Sequence, residues 1–231
     1  MGKLSLFMLA CFACLSSFSQ NVNLDSILNV RKFQKDSALK AAIHADSVKI
    51  EKEFKETEKW DRITARALYP VIKAGDWSGV IPVPDATEVP DPTLDYKFLF
   101  ELTSLNPDSA SKDVDYGLAE VSRVINLHVA SGVPLKKISL VIVVHAGALK
   151  AFGTNEYYKA KFKTDNPNIK VVEELKKLGT KFIACGQAMT FLDVKKEDML
   201  PEMKVSLTAQ TVISHYQLKG YLLWWGGAGK H

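Results

Sequence analysis

Cys185 and His145 are the two side chains whose type and position most readily suggest chemistry. Each stands at the end of an apolar run that predicts a β-strand, with a glycine, Gly186 or Gly147, close behind it. A thiolate is a nucleophile, and its pKa falls at a helix N-terminus or beside a protonated imidazole. His145 can accept such a proton or donate a hydrogen bond to a bound group. This spacing therefore favours thiol chemistry assisted by a histidine.

Both residues also have a purely structural interpretation. Free cysteine is among the most buried residue types, so Cys185 is either a small apolar core residue or a reactive group. His145 is either a structural histidine or a functional one, and spacing alone does not decide between them. Cys11 and Cys14 lie in the N-terminal leader, so its removal would leave Cys185 as the only thiol, without a partner for an internal disulfide.

The elements that must position these residues alternate between strand and helix patterns. Strand-like runs cover residues 96–103, 138–145, 181–185, 204–206 and 221–225. Apolar residues on both faces of a run are typical of a parallel sheet covered by helices on both sides. We therefore expect an α/β fold: a three-layer α/β/α sandwich with a mainly parallel five-stranded sheet, preceded by N-terminal helices.

The helices between the strands have recognisable ends. One helix shows an apolar stripe, another is predicted to begin with Asn166 as its N-cap and Pro167 in its first position and to end before Gly179, and a third covers about 207–219 and ends at Gly220. A short helix can begin at Gln187 and direct backbone N–H groups at the sulfur of Cys185. The apolar stripe of the first of these helices consists of Leu118, Val121, Ile125 and Val129.

Ligands of open parallel sheets bind at the carboxyl ends of the strands. The catalytic candidates Cys185 and His145 lie at two such ends, and Thr103 lies at a third. With Gly147, Gly186 and Gln187, Thr103 completes the predicted ligand-binding set, and the amides of Gly186 and Gln187 are candidates to stabilise a sulfur anion.

The N-terminal part of the chain predicts export to the periplasm or secretion. Residues 1–19 combine Lys3, an apolar stretch and a small-residue cleavage site, as a signal peptide does. A lipoprotein modified at Cys11 is the alternative. Residues 20–68 form a charged segment that predicts one or two solvated helices, with packing on a partner subunit as the minority interpretation. Residues 69–93 form a Pro/Gly-rich connector, and the α/β domain covers 94–231. Four apolar residues of the connector are expected to be buried: Trp77, Val80, Ile81 and Val83.

Several classes of function are excluded by what the sequence lacks. A net charge of +4 without a basic block argues against nucleic acid, and no apolar run after the leader is long enough to span a bilayer. No metal-ligand spacing, cofactor motif or G-x-S-x-G is present, so we expect neither a metal site nor a cofactor. The glycine-rich C-terminal tail, residues 226–231, reads as a flexible end. His128, His215 and Tyr216 are expected to pack, and His44 to lie on the surface.

Residues 94–225 resemble the DsrE/DsrF-like family, in particular its exported bacterial members. The resemblance depends on three motifs in order: VVHAGA around His145, DNPN around Asn166, and CGQA starting at Cys185. Residues 69–72 and 80–86 are similar to the lead-in of the exported members. The resemblance implies a five-stranded α/β/α domain that assembles into trimers or hexamers. It also implies that Cys185 carries sulfur as a persulfide. Some relatives have a second cysteine nearby, whereas this chain has Gln187 and Ala188.

Three functions remain open at this point. The first is an exported sulfur carrier or sulfurtransferase-like protein in which Cys185 bears a persulfide and exchanges it with a sulfur donor or acceptor. The second is a non-enzymatic module that binds a small ligand or mediates assembly. The third is thiol-dependent redox sensing, which requires an exposed Cys185.

Overall fold

The computed structural model describes residues 24–225. The leader at 1–19 and the tail at 226–231 lie outside the described residues. Within them, the chain divides between Lys59 and Trp60 into two units. We describe each unit by itself.

The first unit contains most of one long helix, α1 (Leu24–Thr64). Its 41 residues correspond to a length of about 60 Å at the usual rise per residue. The charged pattern predicts a solvated helix, and the side chains described along α1 are exposed almost throughout, His44 among them.

The second unit is built on one five-stranded sheet. Its strands are β1 (Tyr96–Leu102), β2 (Ile138–Val144), β3 (Lys181–Cys185), β4 (Met203–Ser206) and β5 (Leu222–Trp225). The order is β4-β3-β2-β1-β5, and all four pairings are parallel. Every predicted strand is present, and each boundary lies within one residue of the prediction.

Helices cover both faces of the sheet, which confirms the three-layer fold. One face carries Phe98, Phe100 and Ile142 and packs with α2 (Tyr116–Ala130) and α4 (Ile169–Lys177). The other face packs with α6 (Ala209–Leu218). The remaining helices are α3 (Asn155–Phe162) and α5 (Gly186–Phe191). Side chains alternate along each strand, so each central strand contributes apolar residues to both layers.

Two predicted helix starts are corrected. The helix α4 begins at Ile169, not at Pro167, and Asn168 occupies the position before it. Asn166 still acts like a cap, because its Oδ1 accepts the backbone N–H of Asn168 at 2.9 Å. The last helix begins at Ala209 rather than at 207. Both preceding segments are turns, which sequence patterns place less reliably than helix interiors.

The connector over residues 69–93 is held by one buried amide. Oδ1 of Asn126 accepts the N–H groups of Val71 and Ile72, and its Nδ2 donates to the carbonyls of Ile72 and Ser78. Val80 is buried and Ile81 is half-buried, as expected. In contrast, Trp77 and Val83 are 55% and 70% exposed. Polar anchoring, rather than apolar burial of every large residue, explains why this irregular segment stays attached.

Candidate functional site

Cys185 is the last residue of β3 and the cap of the short helix α5. Its Sγ accepts the backbone N–H of Ala188 at 3.5 Å. The predicted helix after Cys185 is therefore present, and one of its amides contacts the sulfur. The N–H of Gln187 donates instead to the carbonyl of Leu207 at 3.1 Å, so Ala188 supplies the contact. Cys185 is only 5% exposed.

Gly186 has a steric role at the β3–α5 junction. A Cβ at this position would lie 2.6 Å from the carbonyl oxygen of Ser206 and 3.3 Å from Cγ1 of Val205. The end of β4 therefore lies directly against the backbone of Gly186. Close backbone packing accounts for this glycine.

His145 directly follows β2 and is fixed by two hydrogen bonds. Its backbone N–H donates to the carbonyl of Leu102 at 3.0 Å. Its Nε2 lies 2.7 Å from Oε1 of Glu101. Glu101 is 8% exposed, whereas the side chain of His145 is 27% exposed, so the carboxylate is buried and the imidazole still reaches water. An ionisable pair in such a place requires this close partnership, since an isolated buried charge is costly.

The backbone beside His145 is unusual. Ala146 has a φ of 52°, in the left-handed region that residues other than glycine rarely adopt. A 3₁₀ segment, Ala146–Phe152, follows it and includes Gly147. Such conformations persist where the surrounding structure enforces them, and they are found preferentially at functional sites. At Gly147 a Cβ would meet nothing closer than 3.5 Å, so this glycine is not sterically required.

The sheet places Glu101, His145 and Cys185 on three neighbouring strands. Val144 of β2 pairs with Ala184 of β3, so His145 and Cys185 follow at adjacent strand ends. Alternation from Leu99 and Val143 places all three side chains on the face that α6 covers. No hydrogen bond joins the sulfur of Cys185 to the ring of His145 within residues 24–225. The arrangement is a buried carboxylate paired with an imidazole, at a strand end next to the one whose cysteine caps α5.

Thr103 lies at the third strand end and shapes the turn after His145. Its carbonyl accepts the N–H of Ala148 at 3.2 Å, which ties the end of β1 to the 3₁₀ segment after β2. Its hydroxyl lies 3.5 Å from that of Ser104. The ends of β1 and β2 are thus joined by backbone hydrogen bonds beyond the strands themselves.

An open groove of about 440 Å³ runs beside the β3–α5 junction. Its walls are largely apolar, and Lys196 contributes a positive charge. It can hold a small ligand next to the residue that follows Cys185. The lining residues are Gly186, Gln187, Met189, Thr190, Val194, Lys196, Val205, Ser206 and Leu207.

A buried polar cluster, which sequence reasoning missed, lies in the loop after β1. Asp115 caps α2 through a hydrogen bond from the N–H of Gly117 to its Oδ1 at 3.0 Å. Its own N–H donates to Oδ1 of Asn168, and Nδ2 of Asn168 donates to Oδ1 of Asn166. Oδ2 of Asp115 is buried and has no hydrogen-bond partner among the described residues. Burial raises the pKa of Asp115 to about 6, although backbone N–H donors such as that of Gly117 oppose the shift.

Glu101 is the second functional residue that the sequence analysis did not identify, although the pattern of β1 indicates it. It is a single carboxylate in an otherwise apolar run, FLFEL, that alternates between two buried faces. A charge at such a position needs a partner. The partner, His145, comes from a strand 44 positions further along the chain, which a linear pattern cannot identify.

Of the remaining histidines, His128 takes part in packing, whereas His44 and His215 are exposed. The ring of His128 lies 4.7 Å from that of Phe98, and its Nδ1 is 2.7 Å from the carbonyl of Val124. His215 contacts the ring of Tyr216 edge-on. Among residues 24–225 no group of histidine, cysteine and carboxylate side chains is arranged to hold a metal ion. None of the helices in this range is long and apolar enough to cross a membrane.

Comparison with known proteins connects this architecture to one family. The sequence model of the DsrE/DsrF-like family matches residues 99–225, which is more than half of the chain. Among solved structures, the chain is similar to MTH1491, a protein of unknown function from Methanobacterium thermoautotrophicum, with 18% identity and a TM-score of 0.42. That similarity covers 57% of this chain and 99% of the other. No curated protein matches the sequence.

Proposed function

The chain belongs to the DsrE/DsrF-like family, which is linked to sulfur relay, and we propose that it is an exported sulfur carrier or sulfurtransferase-like protein. In this proposal Cys185 accepts sulfur as a persulfide and passes it to a thiol acceptor. His145 moves the proton, and Glu101 holds the imidazole in position.

One observation carries the proposal. The sulfur of Cys185 accepts an N–H from α5 at a strand end that neighbours the Glu101–His145 pair. This N–H can donate a hydrogen bond to the sulfur during the reaction, and an imidazole with a fixed partner is suited to proton transfer. Together they supply a nucleophile and a proton acceptor on one face of the sheet.

The groove is lined by Gly186, the residue that follows Cys185, and it suits a small anionic sulfur donor. Its apolar walls accommodate polarizable sulfur atoms, and Lys196 supplies a positive charge that attracts an anion. Polysulfide and thiosulfate both combine these properties. Because Cys185 is largely buried, loading requires a local opening of the α5 region, which a six-residue helix at the end of the sheet can supply.

The transfer step balances without an added oxidant. His145 takes the proton of Cys185, and the thiolate attacks the terminal sulfur of a persulfide donor R–S–SH. A bond forms between Sγ and that sulfur while the donor S–S bond breaks, and the electron pair leaves with R–S⁻. His145 returns its proton to give R–SH. Cys185 then holds the persulfide until an acceptor thiolate attacks its outer sulfur.

Mass spectrometry tests the proposal directly. After incubation with polysulfide or thiosulfate, the intact chain should gain the mass of one sulfur atom, located at Cys185 by peptide mapping. A Cys185→Ser variant is the matched control and should gain none. If an alkylating reagent modifies Cys185 under the same conditions while no sulfur is gained, the proposal is wrong.

A second candidate, a non-enzymatic ligand-binding module, is favoured by the burial of Cys185. In that case the groove binds a small molecule, and Cys185 contributes only packing. Screening small anions by calorimetry, with wild type and Cys185→Ser compared, separates the two candidates. Equal affinity together with no sulfur loading supports the module.

Export and assembly belong to the same proposal and have their own measurements. Removal of residues 1–19 would expose Gln20 as the new N-terminus, which the intact mass of protein purified from the periplasm or medium tests. A trimer or hexamer of the α/β domain is the assembly that family membership suggests. Sedimentation of the processed chain measures it.

A further inference from the structure

The long helix α1 carries an apolar stripe with a regular spacing. Leu28, Leu39 and Ile50 are eleven residues apart, and so are Ile43 and Phe54. Eleven residues complete slightly more than three turns of an α-helix, so the five side chains lie within an arc of about 80° around the helix axis. We call these five residues the α1 stripe.

The α1 stripe lacks a partner within the described residues. Its members are 56% to 64% exposed. Few ion pairs support the helix locally, for example Lys55–Glu51 at 2.7 Å, and exposed pairs of this kind contribute little. Most helices in proteins are stabilised by packing of an apolar face rather than by such pairs. We therefore expect the α1 stripe to pack against another surface whose apolar side chains have the same spacing over the same length.

We propose that the α1 stripe is an interface with α1 of a second copy of this chain, paired antiparallel about a two-fold axis beside Ala41. Four of the five members of the stripe are symmetric about that position. Leu28 and Phe54 are equidistant from Ala41, and so are Leu39 and Ile43. In the antiparallel pair each of these residues faces its counterpart on the other copy, which gives the self-complementary contact of a two-fold dimer.

The position of Lys32 favours the antiparallel arrangement of the two helices over the parallel one. It lies in the middle of the same face, between Leu28 and Leu39. In a parallel, in-register pair, Lys32 would face Lys32 of the second copy inside the seam. In the antiparallel pair it faces Ile50, where its aliphatic stem can cover the apolar side chain while its ammonium reaches water.

Charges beside the stripe support the same arrangement. Arg31, Lys35, Asp46 and Glu53 share one flank of the helix. The antiparallel pairing brings Lys35 close to Asp46 of the second copy and Arg31 close to Glu53. Both contacts occur twice because of the two-fold axis. Within residues 24–225, Arg31, Lys35 and Asp46 have no ion-pair partner, and Glu53 has only a 3.9 Å contact with Lys49.

Disulfide trapping in the full chain tests this geometry. Cys11, Cys14 and Cys185 are first replaced by serine, and Leu28→Cys and Phe54→Cys are made separately. Mixing the two variants under mild oxidation should give mainly mixed disulfides. Each variant alone should give few, because identical positions are about 40 Å apart in the antiparallel pair.

A second mixture is the matched control. Val30→Cys and Lys52→Cys are also equidistant from Ala41 but lie on the opposite face of α1. This mixture should form at least tenfold less mixed disulfide. Equal trapping in the two mixtures, strong trapping of Leu28→Cys with itself, or no trapping at all would each overturn the proposal.

Association strength provides an independent measurement. Ile43→Asp should raise the concentration for half-association through α1 at least tenfold. Val48→Asp should change it less than twofold, since Val48 is similarly exposed at 52% but lies outside the stripe. Equal effects of the two substitutions would contradict the proposed seam. Neither result depends on whether Cys185 carries sulfur.

Discussion

At the scale of single residues, Glu101 holds the imidazole of His145 in place at the site. A buried carboxylate oxygen 2.7 Å from Nε2 of the imidazole fixes the position of the His145 ring. Without this partner, His145 would be a half-buried ring at a strand end with no polar anchor for its side chain. The proposed proton transfer at Cys185 therefore depends on Glu101, although Glu101 does not contact the sulfur.

Glu101→Gln should slow persulfide loading of Cys185 by about tenfold or more while the protein stays folded. The amide keeps the size and an acceptor oxygen, but it removes the negative charge beside the imidazole that is proposed to move the proton. Loading is followed by mass spectrometry over a range of pH, because a positioning role changes the pH profile as well as the rate. Glu202→Gln is the control, since Glu202 lies just before the start of β4 and pairs with Lys176 rather than with His145. An unchanged profile in Glu101→Gln would exclude the role given to Glu101.

Asp115 predicts a specific dependence of stability on pH. Burial raises its pKa to about 6 in the folded protein, above the ordinary value of 3.8. The folded state then binds more protons than the unfolded state between these values. The free energy of unfolding should therefore fall as pH rises from about 4 to 6, by roughly 3 kcal/mol from this group, and not fall further above pH 6.

Asp115→Asn isolates this contribution. Asparagine is also a good N-cap, so α2 keeps its first turn, but the variant has no charge to bury. Urea unfolding at pH 4 and pH 7 is measured for both proteins, and the variant should lack the part of the pH dependence that Asp115 supplies. Identical pH dependence of the two proteins would show that Asp115 does not titrate in this window.

At the scale of elements, the junction of β3 and α5 depends on close backbone packing. Gly186→Ala would place a methyl group 2.6 Å from the carbonyl oxygen of Ser206. The end of β4 must then move, and we expect a loss of about 1–3 kcal/mol in the free energy of unfolding. Gly147→Ala is the matched control because its nearest contact would be 3.5 Å, and we expect a change within about 0.5 kcal/mol. Urea unfolding of the two variants measures the difference, and equal losses would contradict this explanation.

The elements themselves were largely predictable, whereas their contacts were not. Runs such as Ile138–Val144 are apolar on both faces, and this pattern identifies a strand inside a parallel sheet. The order of the strands, the pairing of Glu101 with His145 and the cluster around Asp115 depend on residues far apart in the sequence. The exposure of Trp77 was mispredicted for a similar reason. The connector is held by Asn126, a single polar side chain that composition does not identify as an anchor.

At the scale of the whole molecule, the two units of the chain differ in whether they have a hydrophobic core of their own. The α/β domain buries two apolar clusters, one on each face of its sheet. The long helix α1 has no such core among the described residues, and the proposed pairing with a second copy would supply one. A domain with its own core unfolds in a transition set by that core, whereas a helix stabilised by a second copy unfolds in a transition set by concentration.

Ile43→Asp should therefore change the melting transition of α1 without changing that of the α/β domain. Circular dichroism at several protein concentrations should show that the substitution lowers the melting temperature of the α1 transition and removes the concentration dependence that α1 pairing gives it. The later transition of the α/β domain and the rate of sulfur loading at Cys185 should stay the same, because the substitution lies outside that domain. Val48→Asp should leave both transitions close to wild type. If Ile43→Asp lowered the loading rate or the second transition as well, the α1 seam would be part of what holds the sulfur site together.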